Sequence, residues 1–368
     1  MTNSFNVSVL ISIFLWSAIS AVAGEPEFLR QSIRARGMGN AFTAVANDEM
    51  LLYYNPAGLR SLTHNLYELY SANGTSNEDT INLATEDDQV AGLADIAGRK
   101  IFLETTLLSM SHHNTRWGVA LFSNAIIDLS IHNPIVPYLS VRAFGQAGVL
   151  GGMAFSFMDQ RLDIGVGLKA VNRTGMIDTL HITDEAIIAF VDRDETDLLE
   201  DKYASTTQVG TDVGMIYHVE DMYNLFPKLA VVIRNIGDMD FEQAGLVPMT
   251  VDLGLATESE VQGVDITFAM DYQDLLNAND LASGIFTIQN LKIGVEVGLE
   301  KMYNGHHFFS FRAGRNGPYN TFGATLNPAW TLLYIVPKID FALWSQEIGQ
   351  FGGDVEDQRT SLQISWMF

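Results

Sequence analysis

Strict two-residue alternation of apolar and polar side chains, sustained over nine residues at a time, constrains this chain more than any other feature. Side chains repeat every second residue only on a pleated strand. From Leu162 to Ala170, Leu162, Ile164, Val166, Leu168 and Ala170 fall on one face, with Asp163, Gly165, Gly167 and Lys169 on the other. Val264–Tyr272 repeats the pattern with Val264, Ile266, Phe268, Met270 and Tyr272 against Asp265, Thr267, Ala269 and Asp271. Leu291–Leu299 repeats it again, setting Lys292, Gly294, Glu296 and Gly298 opposite five aliphatic residues.

A soluble sandwich also alternates, but its strands run to about 5 or 6 residues, and these run to about 9 or more, the length that crosses a bilayer. The polar face carries glycines, small polar groups and both signs of charge, which suits a crowded lumen where Asp163, Lys169, Asp265, Asp271, Lys292, Glu296 and Arg312 pair across strands. Within lipid every backbone group needs an internal partner, so such a sheet has to close. The predicted class is therefore all-β, an antiparallel transmembrane β-barrel. Fourteen strands are predicted, over 64–72, 100–112, 115–126, 144–158, 160–174, 203–219, 226–237, 247–257, 262–275, 288–301, 306–315, 318–326, 330–345 and 358–368. Even-numbered connections are short and odd ones mostly long, the pattern of periplasmic turns and outer loops, and it puts both termini in the periplasm. Pro337 inside the thirteenth strand predicts a kink, bulge or split there, and Glu104 with Thr105-Thr106 blurs the phase of the second.

The two ends of the chain point the same way. Residues 1–23 hold no charged side chain, an apolar core over Val7–Ile19 and a small-x-small site at Ala21-Val22-Ala23. This reads as a secretory leader cleaved after Ala23, without the usual basic n-region. Beyond it no apolar run is long enough for a membrane helix. The last residues alternate Leu362, Ile364, Trp366 and Phe368 with polar partners, a final strand of the kind presented to the barrel assembly machinery, with Trp366 and Phe368 as the assembly signal.

Between leader and first strand lies Arg36–Leu59, RGMGNAFTAVANDEMLLYYNPAGL. Gly37 and Gly39 permit positive φ and close backbone approach; small residues at 41, 44 and 46 suit a tightly packed short helix. Pro56 ends any helix before Asn55 and directs the chain into the first strand. A phosphate-cradling loop is a poorer reading, because no strand precedes these glycines and no Lys-Ser/Thr follows. The stretch resembles the N-terminal region of the FadL/TodX-like outer-membrane family and its PorV-like relatives, matching at Gly37-Met38-Gly39, Ala41-Phe42, Ala44-Val45-Ala46, Asp48 and Asn55-Pro56-Ala57-Gly58-Leu59. Segments 269–275, 293–296, 311–314 and 344–349 resemble that group too. The resemblance implies a fourteen-stranded barrel closed by an N-terminal hatch, through which hydrophobic molecules pass by hatch movement and a lateral gap. The expected organisation is a leader over 1–23, a hatch or plug over 24–61 with Gly37, Gly39, Asn55, Pro56, Ala57 and Gly58 as its gating residues, and a barrel over 62–368.

Composition excludes several chemistries. There is no cysteine, hence no disulfide and no thiol chemistry. A net charge of −23 argues against nucleic acid. No triad, paired acid/base or metalloprotease spacing stands out, so neither an enzyme nor a cofactor is expected. Loops 73–99, 175–202 and 346–357 are strongly acidic; this reads first as solvated charge and second as divalent-cation contact at the lipopolysaccharide surface. Such a mouth repels anions and favours neutral lipophiles over fatty acids, weakened by screening. Within the acidic loop, Ile187, Ile188 and Phe190 form an apolar island, read with Ile126 and Ile127 as one greasy entry groove. His112-His113 and His306-His307 fall at predicted turns and read as structural. The expected activity is passive uptake of hydrophobic small molecules across the outer membrane of a Gram-negative envelope. The alternative is a non-conducting PorV-like accessory barrel with a secreted-protein partner.

Overall fold

The computed structural model describes residues 28–85, 100–132, 138–181, 203–221, 224–279, 287–301, 307–328, 336–348 and 355–367. Fourteen strands close into one barrel in which every neighbouring pair is antiparallel. They are β1 Leu66–Asn77, β2 Lys100–His113, β3 Trp117–His132, β4 Tyr138–Phe157, β5 Leu162–His181, β6 Ala204–His218 and β7 Phe226–Arg234, then β10 Thr250–Val261, β11 Val264–Tyr272, β12 Leu291–Lys301, β13 His307–Asn316, β14 Tyr319–Leu326, β15 Val336–Glu347 and β16 Glu356–Met367. Between β7 and β10 a two-stranded hairpin, β8 Met239–Asp240 with β9 Leu246–Val247, forms a separate small sheet. Closure joins β1 to β16 directly, so the backbone ladder has no edge to cap.

Alternation places the side chains as their chemistry requires. Along β5, Asp163, Gly165, Gly167 and Lys169 are buried toward the lumen, while Val166 and Leu168 point outward and are exposed. Large apolar residues exposed on other strands, among them Leu121, Phe155, Phe311, Phe322 and Trp366, continue that outer belt as a membrane-spanning barrel requires. Among the described residues no helix is long and apolar enough to cross a membrane.

Several strands differ from expectation in extent. β3 and β4 continue past 126 and begin before 144, and β4 and β5 reach 20 residues each. Their backbone pairing runs unbroken from Trp117↔Met153 to His132↔Tyr138, so side-chain alternation carries on where the polarity pattern had faded. Ile126 and Ile127 are therefore consecutive residues inside a strand, not a rim: Ile126 is buried in the lumen at 7% exposure and Ile127 faces outward at 41%. They cannot line one groove. Pro337 is only the second residue of β15, beyond Ile339, where the ladder to β14 ends, so its missing donor does not interrupt that ladder. The irregularity expected in the second strand is present, between Thr106 and Leu108 on the β3 side. β1 also carries register shifts between Glu68 and Asn73, toward both neighbours. The leader, the 187–190 island and Phe368 lie outside the described residues.

An arginine placed in the outer belt has no polar partner to reach. Leu168→Arg is expected to destabilise the folded barrel by about 2–4 kcal/mol, read as a shifted denaturant midpoint in detergent or lipid; an unchanged midpoint would contradict the inside–outside assignment.

Candidate functional site

Residues 28–62 thread through the lumen as two short helices, α1 Ile33–Gly37 and α2 Leu51–Tyr54, followed by a 3-10 turn over Pro56–Ser61. Ser32 caps α1, its hydroxyl accepting from the Ala35 amide. Gly39 (φ 65°) and Asn40 (φ 66°) then turn the chain in left-handed conformations, which glycine and asparagine tolerate best. Gly37 serves a different end: a Cβ there would stand 2.9 Å from Gly323 Cα. The barrel reciprocates, since a Cβ on Gly294 would stand 2.3 Å from the Met38 carbonyl oxygen, and one on Gly165 2.3 Å from the Ala57 nitrogen. Inward glycines of β5, β12 and β14 thus form a shelf on which the backbone of the insert rests.

Polar contacts fix its register on that shelf. The Thr321 hydroxyl accepts from the Gly39 amide (2.9 Å) and donates to the Gly37 carbonyl (3.1 Å). Asp271 accepts both the Phe42 and Thr43 amides at 2.7 Å. Over 41–46 the chain forms turns instead of the expected helix, with a single helical bond from the Ala46 amide to the Phe42 carbonyl (2.9 Å). Of the lumen charges expected to pair across strands, Asp271 thus serves the insert instead, while Arg312 pairs with Glu296 and Asp340. The Asn55 side chain accepts from the Ala57 amide and donates to the Thr43 carbonyl, both at 3.0 Å. It ties the two halves of the insert together, and Pro56 opens the 3-10 turn behind it. Gly58 packs against Ala46, whose carbonyl oxygen a Cβ would meet at 2.0 Å.

Charge is concentrated on the short-turn side of the insert. Arg34 makes two bonds to Glu296 (2.6 and 2.8 Å) and contacts Asn47 (2.7 Å) and Asp48 (3.4 Å). Lys338 bonds Glu49 (2.6 Å) and Asp340 (3.0 Å). Arg34, Asp48 and Glu49 from the insert are thereby joined to Glu296, Arg312, Lys338 and Asp340 of β12, β13 and β15 in one network. Burial opposes the Arg34 charge, but Glu296 and Asp48 overcome it and hold the guanidinium above its ordinary value. Burial, reinforced by Glu49, pushes Asp48 up to about 6 against the pull of Arg34 and Lys338. On the long-loop side Arg36 pairs with Glu104 (2.5 Å), bonds Thr75 (2.9 Å) and lies over the Trp344 ring, 4.6 Å from its centroid.

Two kinds of space flank the insert. Toward the short turns lies a chamber of about 600 Å³, lined by charged and polar residues that include Asp48, Glu49, Lys228, Glu258, His307 and Lys338. Toward the long loops lies a cavity of only about 40 Å³, bounded by Phe28, Leu29, Phe102, Ile126 and Trp344 with Arg30, Arg36, Arg142 and Arg359 among them. Here arginines stack on aromatic rings. Arg359 lies 3.5 Å from the Phe102 centroid, and the fully buried Arg173 sits between Phe144 (4.0 Å) and Phe241 (4.5 Å). Phe241 belongs to the β8–β9 hairpin, which turns inward; the Ala244 carbonyl there accepts from Arg173.

The predicted gating residues all belong to the insert but sit apart, Gly37 and Gly39 against β12, β13 and β14, Asn55, Pro56 and Ala57 against β5 and β6, and Gly58 against Ala46; of the predicted groove, Ile126 lines the small cavity. The arginines at 30, 34 and 36 and the acids at 48 and 49 were missed as site residues. Their signal was a cluster of charge within an otherwise apolar insert. Trp366 faces outward beside Tyr70. His113 is buried and bonds the Glu49 carbonyl, His112 stacks on Tyr67, and His307 pairs with Asp265.

No protein-family model and no curated protein matches the chain. Among solved structures it resembles the toluene transporter TbuX of Ralstonia pickettii at TM-score 0.53, with 11% identity over 90% of this chain and 96% of that one. The toluene transporter TodX of Pseudomonas putida gives TM-score 0.49 and 10% identity, over 94% and 98% of the two chains. A FadL homologue of Pseudomonas aeruginosa gives 0.37 and 9%, over 94% and 98%. At such identities the likeness is one of fold, the barrel fold that TbuX shares.

The raised Asp48 carboxyl gives the seat of the insert a pH dependence. Seating favours the protonated form, so its contribution is complete below the ordinary carboxylate range and declines as pH rises toward about 6, by at most about 1.4 kcal/mol per pH unit. Limited proteolysis of the insert is expected to be faster at pH 7.5 than at pH 5, and Asp48→Asn to remove the difference; equal rates in the wild type would refute the assignment.

Proposed function

On the premise of a FadL/TodX-like outer-membrane fold, we propose that this barrel transfers hydrophobic small molecules passively across the outer membrane, with residues 28–61 as the hatch that controls passage. The observation that carries the reading is the way the insert is held. Hydrogen bonds and ion pairs seat it over a glycine shelf, and the chain has no cysteine for a disulfide to the wall, so its release is a matter of exchanging polar partners. The proposed direction is from the long loops, outside, toward the short turns in the periplasm. The named functions of TbuX and TodX agree with this substrate class.

The cavity above the hatch narrows the class. Its walls are aromatic and aliphatic, and four arginines reach it against one carboxylate, Glu104, an excess of positive charge that favours an amphiphile with an anionic head, such as a long-chain fatty acid, over a neutral hydrocarbon. Acidic loops argue the other way, but their field is screened over about 8 Å, whereas the arginines act at contact range. The close packing of the insert in the lumen supports a second reading, a non-conducting accessory barrel that offers its surface to a secreted protein.

Reconstituted vesicles separate these readings. Wild-type protein is expected to speed entry of a fluorescent long-chain fatty acid more than entry of its neutral alcohol. Arg34→Ala, which leaves Glu296 without its hatch partner, is expected to raise the rate about threefold or more. Entry at the protein-free rate with both proteins would sink transport and leave the accessory reading.

A further inference from the structure

Three elements meet at the guanidinium of Arg173, on the inner face of β5. It is wholly buried and lies over the rings of Phe144 on β4 and Phe241 in the β8–β9 hairpin, 4.0 and 4.5 Å from their centroids. Its edge donors reach two further groups. Nη1 donates to the Ala244 carbonyl at the hairpin tip (3.2 Å), and Nε donates to Gln146 Oε1 on β4 (3.0 Å). Gln146 carries the link onward, since its Nε2 donates to the Leu29 carbonyl of the insert at 2.6 Å. The direction of each bond is forced. A guanidinium only donates and a carbonyl only accepts, so the Gln146 amide serves both in one orientation alone.

The hairpin is built to rest on this junction. Met239, Phe241, Ala244 and Val247 have no exposed surface, while Glu242 and Gln243 at the tip face out. Its stem turns through three left-handed residues, Asn235 (φ 53°), Gly237 (φ 91°) and Asp238 (φ 60°). Asp212 of β6 accepts from the Asn235 amide at 2.7 Å and fixes the stem to the wall. A fixed stem and a tip seated on Arg173 make a flap on the long-loop side. The upper cavity lies beside the same junction, because Phe144 packs with Phe102 and Ile126, and both of these line the cavity together with Leu29.

We propose that Arg173 and Gln146 are positioning residues that join the outer hairpin to the hatch, so that an apolar group entering beside Phe144 and displacing Phe241 lifts the hairpin tip and frees the hatch at Leu29. Loss of the Phe241 ring and the Ala244 carbonyl strips a buried guanidinium of partners, which is costly, and Arg173 turns toward the water that the departing tip admits. Gln146 then loses the donor that orients its amide, and the Leu29 carbonyl loses its bond. Entry from outside and release of the hatch become one event. The inference rests on the reading of residues 28–61 as a hatch and adds what releases it.

The test uses the full-length protein in detergent micelles, with trypsin cleavage after Arg30 read by intact mass; its rate follows the population in which this part of the insert is free. Phe241→Ala alters the hairpin alone and is expected to raise the rate about fivefold, the factor carried by one lost hydrogen bond. Gln146→Glu keeps an acceptor for Arg173 but turns an oxygen toward the Leu29 carbonyl, and is expected to do the same. The double variant is expected to be no faster than the faster single one. Arg173→Lys keeps the charge without the planar fork and is expected to behave as Phe241→Ala does. Heat-modifiable gel mobility reports folding, and if Phe241→Ala does not fold, Phe241→Leu, apolar but without a ring, decides. A wild-type rate in the folded hairpin variant, or effects that multiply in the double variant, would overturn the proposal. The two readings fail separately: uncoupled cleavage sinks the link alone, and coupled cleavage without fatty-acid entry in vesicles sinks the uptake.

Discussion

Every backbone amide in the belt of this barrel must find its partner on a neighbouring strand, and the rest of the structure depends on that requirement. Lipid offers no hydrogen bonds, so the ladder has to close. Closure around fourteen strands leaves a lumen wider than side chains alone fill. The chain meets this with an insert of its own, and the wall meets the insert with glycines at 165, 294 and 323, where any Cβ would collide with it. A residue type that weakens an isolated strand is here the one that lets a second backbone approach.

Filling a lumen with backbone creates a second demand, for partners. The wall supplies them unevenly. From β10 to β15, Asp271, Glu296, Thr321 and Lys338 each take a named group of the insert. Buried ion pairs of this sort contribute little net stability, because desolvation offsets attraction, but breaking one leaves an uncompensated charge. They therefore hold the insert in one register and make its displacement a discrete event. From β16 to β3 the middle of the wall is built mainly of hydroxyls and amides, with Glu68 among them, and the ladders there are irregular. One side of the lumen is a seat and the other a seam.

The distribution of charge has the same two-sided character. Acidic residues dominate the sequence, yet arginines collect around the upper cavity, stacked on Phe102, Phe144, Phe241 and Trp344. Planar guanidinium over an aromatic face is a stable way to bury a cation among apolar groups. The overall charge governs approach from a distance, screened by salt, and the stacked arginines govern contact. The two ranges need not act in the same direction, because the net charge is screened within about 8 Å.

How much of this was legible in the sequence follows from periodicity. Outward and inward faces of β5, β11 and β12 could be read residue by residue, because a strand's alternation is a local property of the backbone. Strand number and the parity of connections followed, as did the fate of Gly37, Gly39 and Asn55-Pro56, since turns and close approaches need particular residues. Strand ends in β3 and β4 could not be read where polarity ceased to alternate but pairing continued, so Ile126 and Ile127 were assigned to one surface when they lie on two. Nor could the partners of Asp271, Arg34 or Arg36, which stand up to 325 positions away in the chain and meet only once the cylinder is closed. By itself the sequence determined which residues face lipid and which face inward, and that a small-residue segment precedes the wall. Only the tertiary structure decided which inward groups meet, because closing the sheet, not the order of residues along it, brings β12 and β15 against the same short insert.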